Sequence, residues 1–181
     1  MKNIFYLSIL SLILISCSSS NQNQSSNETE IIGSGTLENG KKVQIVIGDT
    51  NNEQVWIDYI KAHNDRDLDK IAEINADDWE GYTADGSVVK GNEAHIEILD
   101  NWFKTASPKW EIKWMIANAA ENEEGVIVQW LTTGNDYTDV DEKGNEIFEH
   151  NVHDVQFVDG KIKRINVYSR AKAQDSAEFS Y

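Results

Sequence analysis

The chain has one cysteine, Cys17, and one proline, Pro108. A lone cysteine excludes an internal disulfide framework, so stability must come from packing. Basic residues are scarce: 16 lysines and arginines face 31 aspartates and glutamates, for a formal net charge of −15. A field of that sign repels phosphate backbones and anionic lipid surfaces, which argues against a nucleic-acid partner. A solvated acidic surface accounts for the charge. The chain also lacks a glycine-rich phosphate loop, a G-x-S-x-G turn and an H-E-x-x-H helix. No nucleotide, cofactor, covalent nucleophile or metal is therefore expected. The acidic segment DYTDVDEKGNE, residues 136–146, approaches a calcium loop, but Lys143 falls on an expected ligand position. It reads as a hairpin turn.

No long apolar run is present beyond Ile4 to Ile15, which is too short to cross a bilayer and stop there. With Lys2 ahead of it, that run reads as a signal peptide over residues 1–16. Its end, Leu14-Ile15-Ser16-Cys17, resembles the bacterial lipoprotein cleavage box. The resemblance implies cleavage before Cys17 and lipidation of its thiol, with several acyl chains to anchor the protein. The alternative is a plain secretory signal with an incidental cysteine. Ser18 in place of aspartate implies, by the same resemblance, delivery to the outer membrane of a bacterial cell envelope. Residues 17–30, rich in Ser, Asn and Gln, cannot bury surface and read as a flexible tether.

The rest reads as one domain. Residues 31–50 contain two β-prone runs around Asn39-Gly40, a possible hairpin beside the main domain or in its sheet. Residues 51–75 are helical in two pieces, capped by Asn51 or Asn52 and broken at "NDRD". Val55, Trp56, Tyr59, Ile60 and His63 form one stripe of the first piece; Leu68, Ile71, Ala72 and Ile74 face inward from the second. A short strand pair with a turn at Asp85-Gly86 follows. A third helix comes next, its stripe His95, Ile98, Leu99 and Trp102, and Pro108 lies just past its end. The period then changes to two. Trp110, Ile112, Trp114 and Ile116 are expected on one face of the first long strand, and three more long strands complete an antiparallel meander. The fold class is α+β, with three N-terminal helices packed on a curved, mainly antiparallel sheet. Residues 173–181 form a tail.

His150 and His153 sit three positions apart on a strand. An odd spacing sends them to opposite faces, so they cannot chelate one metal without a bulge between them. Asn151, His153, Val155 and Phe157 share one face.

Three segments together resemble the nuclear transport factor 2-like superfamily, including its SnoaL-like and ketosteroid isomerase-like branches. These are YIKAHNDRDLDKIAEINADDW, ADGSVVKGNEAH and VQFVDGKIKRINVY; the match covers about residues 52–170 of an expected domain at 51–172. The resemblance implies a cone in which the sheet wraps three helices and leaves a pocket at the wide end. Members bind small apolar ligands, and some catalyse isomerisation, cyclisation or dehydration. By alignment, the isomerase branch's oxyanion-stabilising tyrosine falls on Tyr59 and its second donor on His153. Its general-base aspartate falls on Thr83, a hydroxyl without a suitable pKa, which argues against steroid-type isomerisation.

The expected pocket comprises Trp56, Tyr59, His63, Trp79, Thr83, Trp102, Asn151, His153 and Val155. Trp110, Trp114 and Trp130 are expected in the core or at an oligomer surface. Three functions follow. The preferred one is a tethered module binding a small, largely apolar or aromatic molecule. The second is a cofactor-independent acid–base enzyme using Tyr59 and His153. The third is an interaction domain with a vestigial pocket. A homodimer through the sheet face is compatible with each.

Overall fold

The computed structural model describes residues 30–140 and 143–171. The expected signal peptide, Cys17, nearly all of the tether and the C-terminal tail lie outside the described residues. In chain order the elements are β1 (Ile31–Thr36), β2 (Lys42–Ile47), α1 (Asn51–Asp65), α2 (Leu68–Ile74), β3 (Asn75–Tyr82) and β4 (Val88–Lys90). Then come α3 (Asn92–Phe103), β5 (Lys109–Glu121), β6 (Ile127–Val140), β7 (Glu146–Val158) and β8 (Lys161–Ala171). All eight strands join one sheet, in the order β1-β2-β5-β6-β7-β8-β3-β4. Every pairing is antiparallel except β3 with β8. The N-terminal hairpin is thus part of the sheet, joined to β5 through Ile45–Ala120, Val46–Ala119 and Ile47–Asn118. The three helices all precede the long meander but are not consecutive: β3 and β4 separate α2 from α3. Among the described residues no helix is long and apolar enough to cross a membrane.

The helix α1 buries Trp56, Tyr59, Ile60 and His63, the i, i+3, i+4, i+7 stripe of an amphipathic helix. Asn51 and Asn52 do not cap it. Both lie in its first turn, Thr50 holds the cap position without a side-chain bond, and Asp49 Oδ1 accepts from the Asn51 N–H. At the "NDRD" corner Arg66 takes the left-handed conformation, φ 64°, and its N–H closes the last turn of α1. Asp67 then caps α2 by accepting from the Lys70 N–H at 3.0 Å. The helix stops one residue sooner than its pattern implies, because Asn75 is already extended and opens β3.

The corner also fixes the start of the meander. The Asn64 carboxamide meets the Trp110 backbone twice: its Nδ2 donates to the carbonyl at 2.8 Å and its Oδ1 accepts from the N–H at 2.9 Å. The Arg66 guanidinium donates to the Pro108 carbonyl and lies 4.6 Å from the Phe103 ring centroid. The end of α1, the end of α3 and the first residues of β5 are thereby tied together.

The long strand β5 departs from simple alternation. Ile112 pairs with Asn135 and Trp114 with Gly134, leaving Lys113 as the extra residue of a β-bulge. Trp110 and Ile112 therefore face inward, whereas Trp114 and Ile116, expected on the same face, turn outward and are about half exposed. The Trp114 indole covers Gly134, where a Cβ would lie 2.2 Å from its Nε1. The core gathers Trp56, Ile60, Ile71, Leu99, Leu131, Val155, Phe157 and Ile162 between the helices and the inner sheet face.

Leu131 has no exposed surface, and Ile116 is 50% exposed. Leu131→Ala should cost about 2–5 kcal/mol in urea denaturation, from lost burial plus a cavity. Ile116→Ala should cost under about 1 kcal/mol. Equal losses would contradict the inward and outward assignment set by the bulge.

Candidate ligand site

A cavity of about 470 Å³ opens between the helices and the inner face of the sheet. Eight of the nine expected pocket residues line it: Trp56, Tyr59, His63, Trp79, Thr83, Trp102, Asn151 and His153. Val155 does not. It is fully buried opposite Leu131, two residues further along the inward face of β7 than His153, and belongs to the packed core. Thr83 lies just past β3 and is exposed, its one hydroxyl proton shared between the Ser87 carbonyl and Asp85. It is a rim residue. Trp110, expected in the core or at an oligomer surface, lines the cavity instead. The bulge and the Asn64 clamp explain this, since they turn the start of β5 inward.

Tyr59 and His153 share the cavity, with the Trp56 indole next to both. Its ring centroid is 5.5 Å from that of Tyr59 and 5.3 Å from that of His153. His150, by contrast, leaves by the opposite face, where its Nδ1 meets Asp136 Oδ1 at 2.7 Å. Among the described residues no three or more His, Cys, Asp or Glu side chains are grouped to hold a metal.

Sequence reasoning missed His95, Tyr137 and Glu149 as wall residues. The signal for His95 was present, because it shares the α3 stripe with Leu99 and Trp102. In the structure its ring stacks on Trp79, centroids 3.8 Å apart and planes 8° from parallel. A chain of amides fixes its tautomer. Asn92 Nδ2 donates to the Ala72 carbonyl at 2.9 Å, so Asn92 Oδ1 is the acceptor for Asn75 Nδ2, also at 2.9 Å. The same Asn75 Nδ2 lies 3.0 Å from His95 Nδ1 and must donate to it. Neutral His95 consequently carries its proton on Nε2. His63 is set the other way: its Nδ1 lies 2.9 Å from the Tyr59 carbonyl and donates to it, which leaves Nε2 as a bare acceptor. His153 Nδ1 is 2.9 Å from Asn135 Nδ2.

All three imidazoles are held neutral. Burial lowers the His63 pKa to about 4, with the Arg66 charge adding to the fall and the bond to the Tyr59 carbonyl opposing it. Burial, and secondarily the proximity of His63, lowers His95 and His153 to about 3 each. The Tyr59 hydroxyl is pushed far above the ordinary tyrosine value by burial, and Asn75 and Trp79 oppose that shift from nearby. Neither completes a hydrogen bond to it. Tyr59 Oη, Trp79 Nε1, Asn75 Oδ1, Trp56 Nε1 and Asn151 Oδ1 are all buried without a protein partner. Among the described residues Glu149 is the single carboxylate in the wall; it pairs across the strands with Tyr137 and accepts from the Ser169 hydroxyl.

Fold and cavity define an α+β domain whose curved, mostly antiparallel sheet and helices enclose an aromatic-walled internal pocket. The family model described as "SnoaL-like domain" matches residues 56–165, and the chain belongs to that family, within the nuclear transport factor 2-like fold. Solved structures agree on the fold. An epoxide hydrolase of M. tuberculosis, described as LEH-like, superposes with a TM-score of 0.56 at 14% identity, covering 67% of this chain and 84% of its own. An NTF2-like protein of unknown function from Burkholderia pseudomallei gives 0.55 at 16% identity, covering 67% and 92%. TerC, co-crystallised with polyporic acid, gives the same figures. No curated protein matches the chain.

Histidines kept neutral by burial have a signed consequence for stability. Their pKa values rise to about 6.5 on unfolding, so between roughly pH 4 and 6.5 the unfolded chain binds more protons. Their contribution is complete above about pH 7 and is lost as pH falls toward the folded values. Asp78, Glu80, Asp85 and Asp136, held below the usual carboxylate range, act in the same sense but at lower pH. Urea unfolding should show a clearly lower midpoint at pH 5 than at pH 7, and the drop should shrink in His95→Phe. A midpoint that stays level over that interval would contradict the neutral, buried state of the three rings.

Proposed function

We propose that this protein is a membrane-tethered binding module whose SnoaL-like domain takes a small, largely apolar or aromatic molecule into its cavity. The supporting observation is the wall itself. Trp56, Trp79, Trp102 and Trp110 surround about 470 Å³ of space, within the range of small-molecule sites. Buried indole, phenol and amide groups there lack protein partners. Buried polar atoms without partners are costly, and a ligand or ordered water in the cavity would relieve them. That a protein of this fold was co-crystallised with polyporic acid agrees with small-molecule binding.

The same groups argue against the acid–base enzyme. A general base works best with a pKa near the working pH, and His153 at about 3 is a feeble base. Tyr59, pushed upward, is a hydrogen-bonding group rather than a proton source. A second reading has its own observation: Trp114, Ile116 and Tyr168 are exposed on the outer sheet face. That face suits a protein contact, including a homodimer.

Native mass spectrometry of the purified protein should reveal a retained hydrophobic compound. The neutral probe N-phenyl-1-naphthylamine should bind with a change in tryptophan fluorescence, and Trp110→Ala should weaken it several-fold. A protein that retains nothing and ignores the probe is not this binding module.

The tether rests on the segment ending in Cys17. Lipidation of that thiol would place the domain on the bacterial envelope, at the outer membrane. The mature protein should begin at Cys17 with added acyl mass, and Cys17→Ser should move it from the membrane to the soluble fraction. An unmodified thiol in the mature chain would remove the anchor.

A further inference from the structure

We propose that His63 and His95 act as an acceptor–donor pair that recognises one neutral hydroxyl group, phenol-like, on the bound molecule. This rests on the cavity being a ligand site and names the chemical handle by which the ligand is held.

The two rings come from different helices, α1 and α3, and line the same cavity with centroids 6.0 Å apart. Each Nδ1 is already engaged, His63 with the Tyr59 carbonyl and His95 with the Asn75 amide. Among the described residues neither Nε2 has a protein hydrogen-bond partner. The amide chain from the Ala72 carbonyl through Asn92 and Asn75 compels His95 to offer Nε2–H. The backbone carbonyl compels His63 to offer a lone pair. In the proposed complex one oxygen lies about 2.8 Å from each Nε2, between rings whose centroids are 6.0 Å apart.

Only some groups satisfy both nitrogens. A hydroxyl donates to His63 and accepts from His95. A ketone or ether oxygen accepts from His95 but leaves the His63 lone pair buried and unmatched. An ammonium fails at His95, which needs an acceptor. A carboxylate fails at His63, and it would bring a charge among rings held neutral by burial. Around the pair lie flat apolar surfaces, the Trp110 ring with its centroid 5.8 Å from that of His63 and the Phe103 ring at 6.4 Å. An aromatic or apolar body attached to the hydroxyl suits that surrounding.

Two measurements on the full-length protein test this. Long-range ¹H–¹⁵N spectra of the imidazole rings should show His63 protonated on Nδ1 and His95 on Nε2. Titration with 2-naphthol, 2-methoxynaphthalene and naphthalene should give 2-naphthol an advantage of about tenfold or more over its methyl ether. That advantage should fall below about threefold in His95→Phe, or in His63→Phe should the first variant not fold. Equal binding of 2-naphthol and its ether, or the same tautomer on both rings, overturns the pair while leaving the cavity a ligand site. Binding of none of the three probes overturns the aromatic-ligand reading of the cavity, and the pair with it.

Discussion

The Asn75 carboxamide is the interaction on which the cavity depends. It has no exposed surface, and it sits where α2 ends and β3 begins. Its nitrogen reaches both Asn92 at the start of α3 and His95 one turn further on. One amide therefore sets the spacing of two helices and a strand, and also the protonation of an imidazole in the cavity wall. Its oxygen, Tyr59 Oη and Trp79 Nε1 form a complementary set of acceptor, acceptor–donor and donor, each still lacking a partner. Burying so many polar groups in one place is costly unless they are satisfied. A site kept this polar beneath an aromatic wall is organised for something other than packing alone.

Charge is distributed in the opposite way from the surface. The chain as a whole is strongly acidic, yet among the described residues the cavity wall contains a single carboxylate, Glu149, and three imidazoles that burial keeps uncharged. His63 discourages charge on the other two, since it contributes, after burial, to the lowering of both His95 and His153. The result is a neutral interior that recognises shape and hydrogen-bond direction rather than charge.

Much of this was legible in the sequence, for identifiable reasons. The amphipathic stripe of α1 and the period-two runs of the meander are strong signals: the first grouped Trp56, Tyr59 and His63, the second put Asn151 and His153 on one face, and the family resemblance turned that face toward the pocket. Two kinds of information were missing. A bulge is one extra residue with no mark in the pattern, so Lys113 misassigned Trp114 and Ile116 and hid the inward turn of Trp110. Hydrogen bonds between residues far apart in the chain leave no local trace. Asn75 looked like a helix end and His95 like an ordinary stripe residue, because Asn92 and Ala72 give their amide chain meaning only once folded. Val155 was wrong by depth rather than by face: alternation tells inward from outward but not cavity wall from the core beneath it.

The β1–β2 hairpin lies wholly before the family-matching region, residues 56–165, yet it is built into the same sheet. Its three pairings with β5 cover part of that strand's outer edge, where backbone groups would otherwise be open to any passing strand. Homology and folding thus draw the boundary of this domain in different places. A domain that lacked the hairpin would carry a bare ladder along β5, inviting self-association. The hairpin is a selvage, the finished border that keeps the woven part from joining its neighbours.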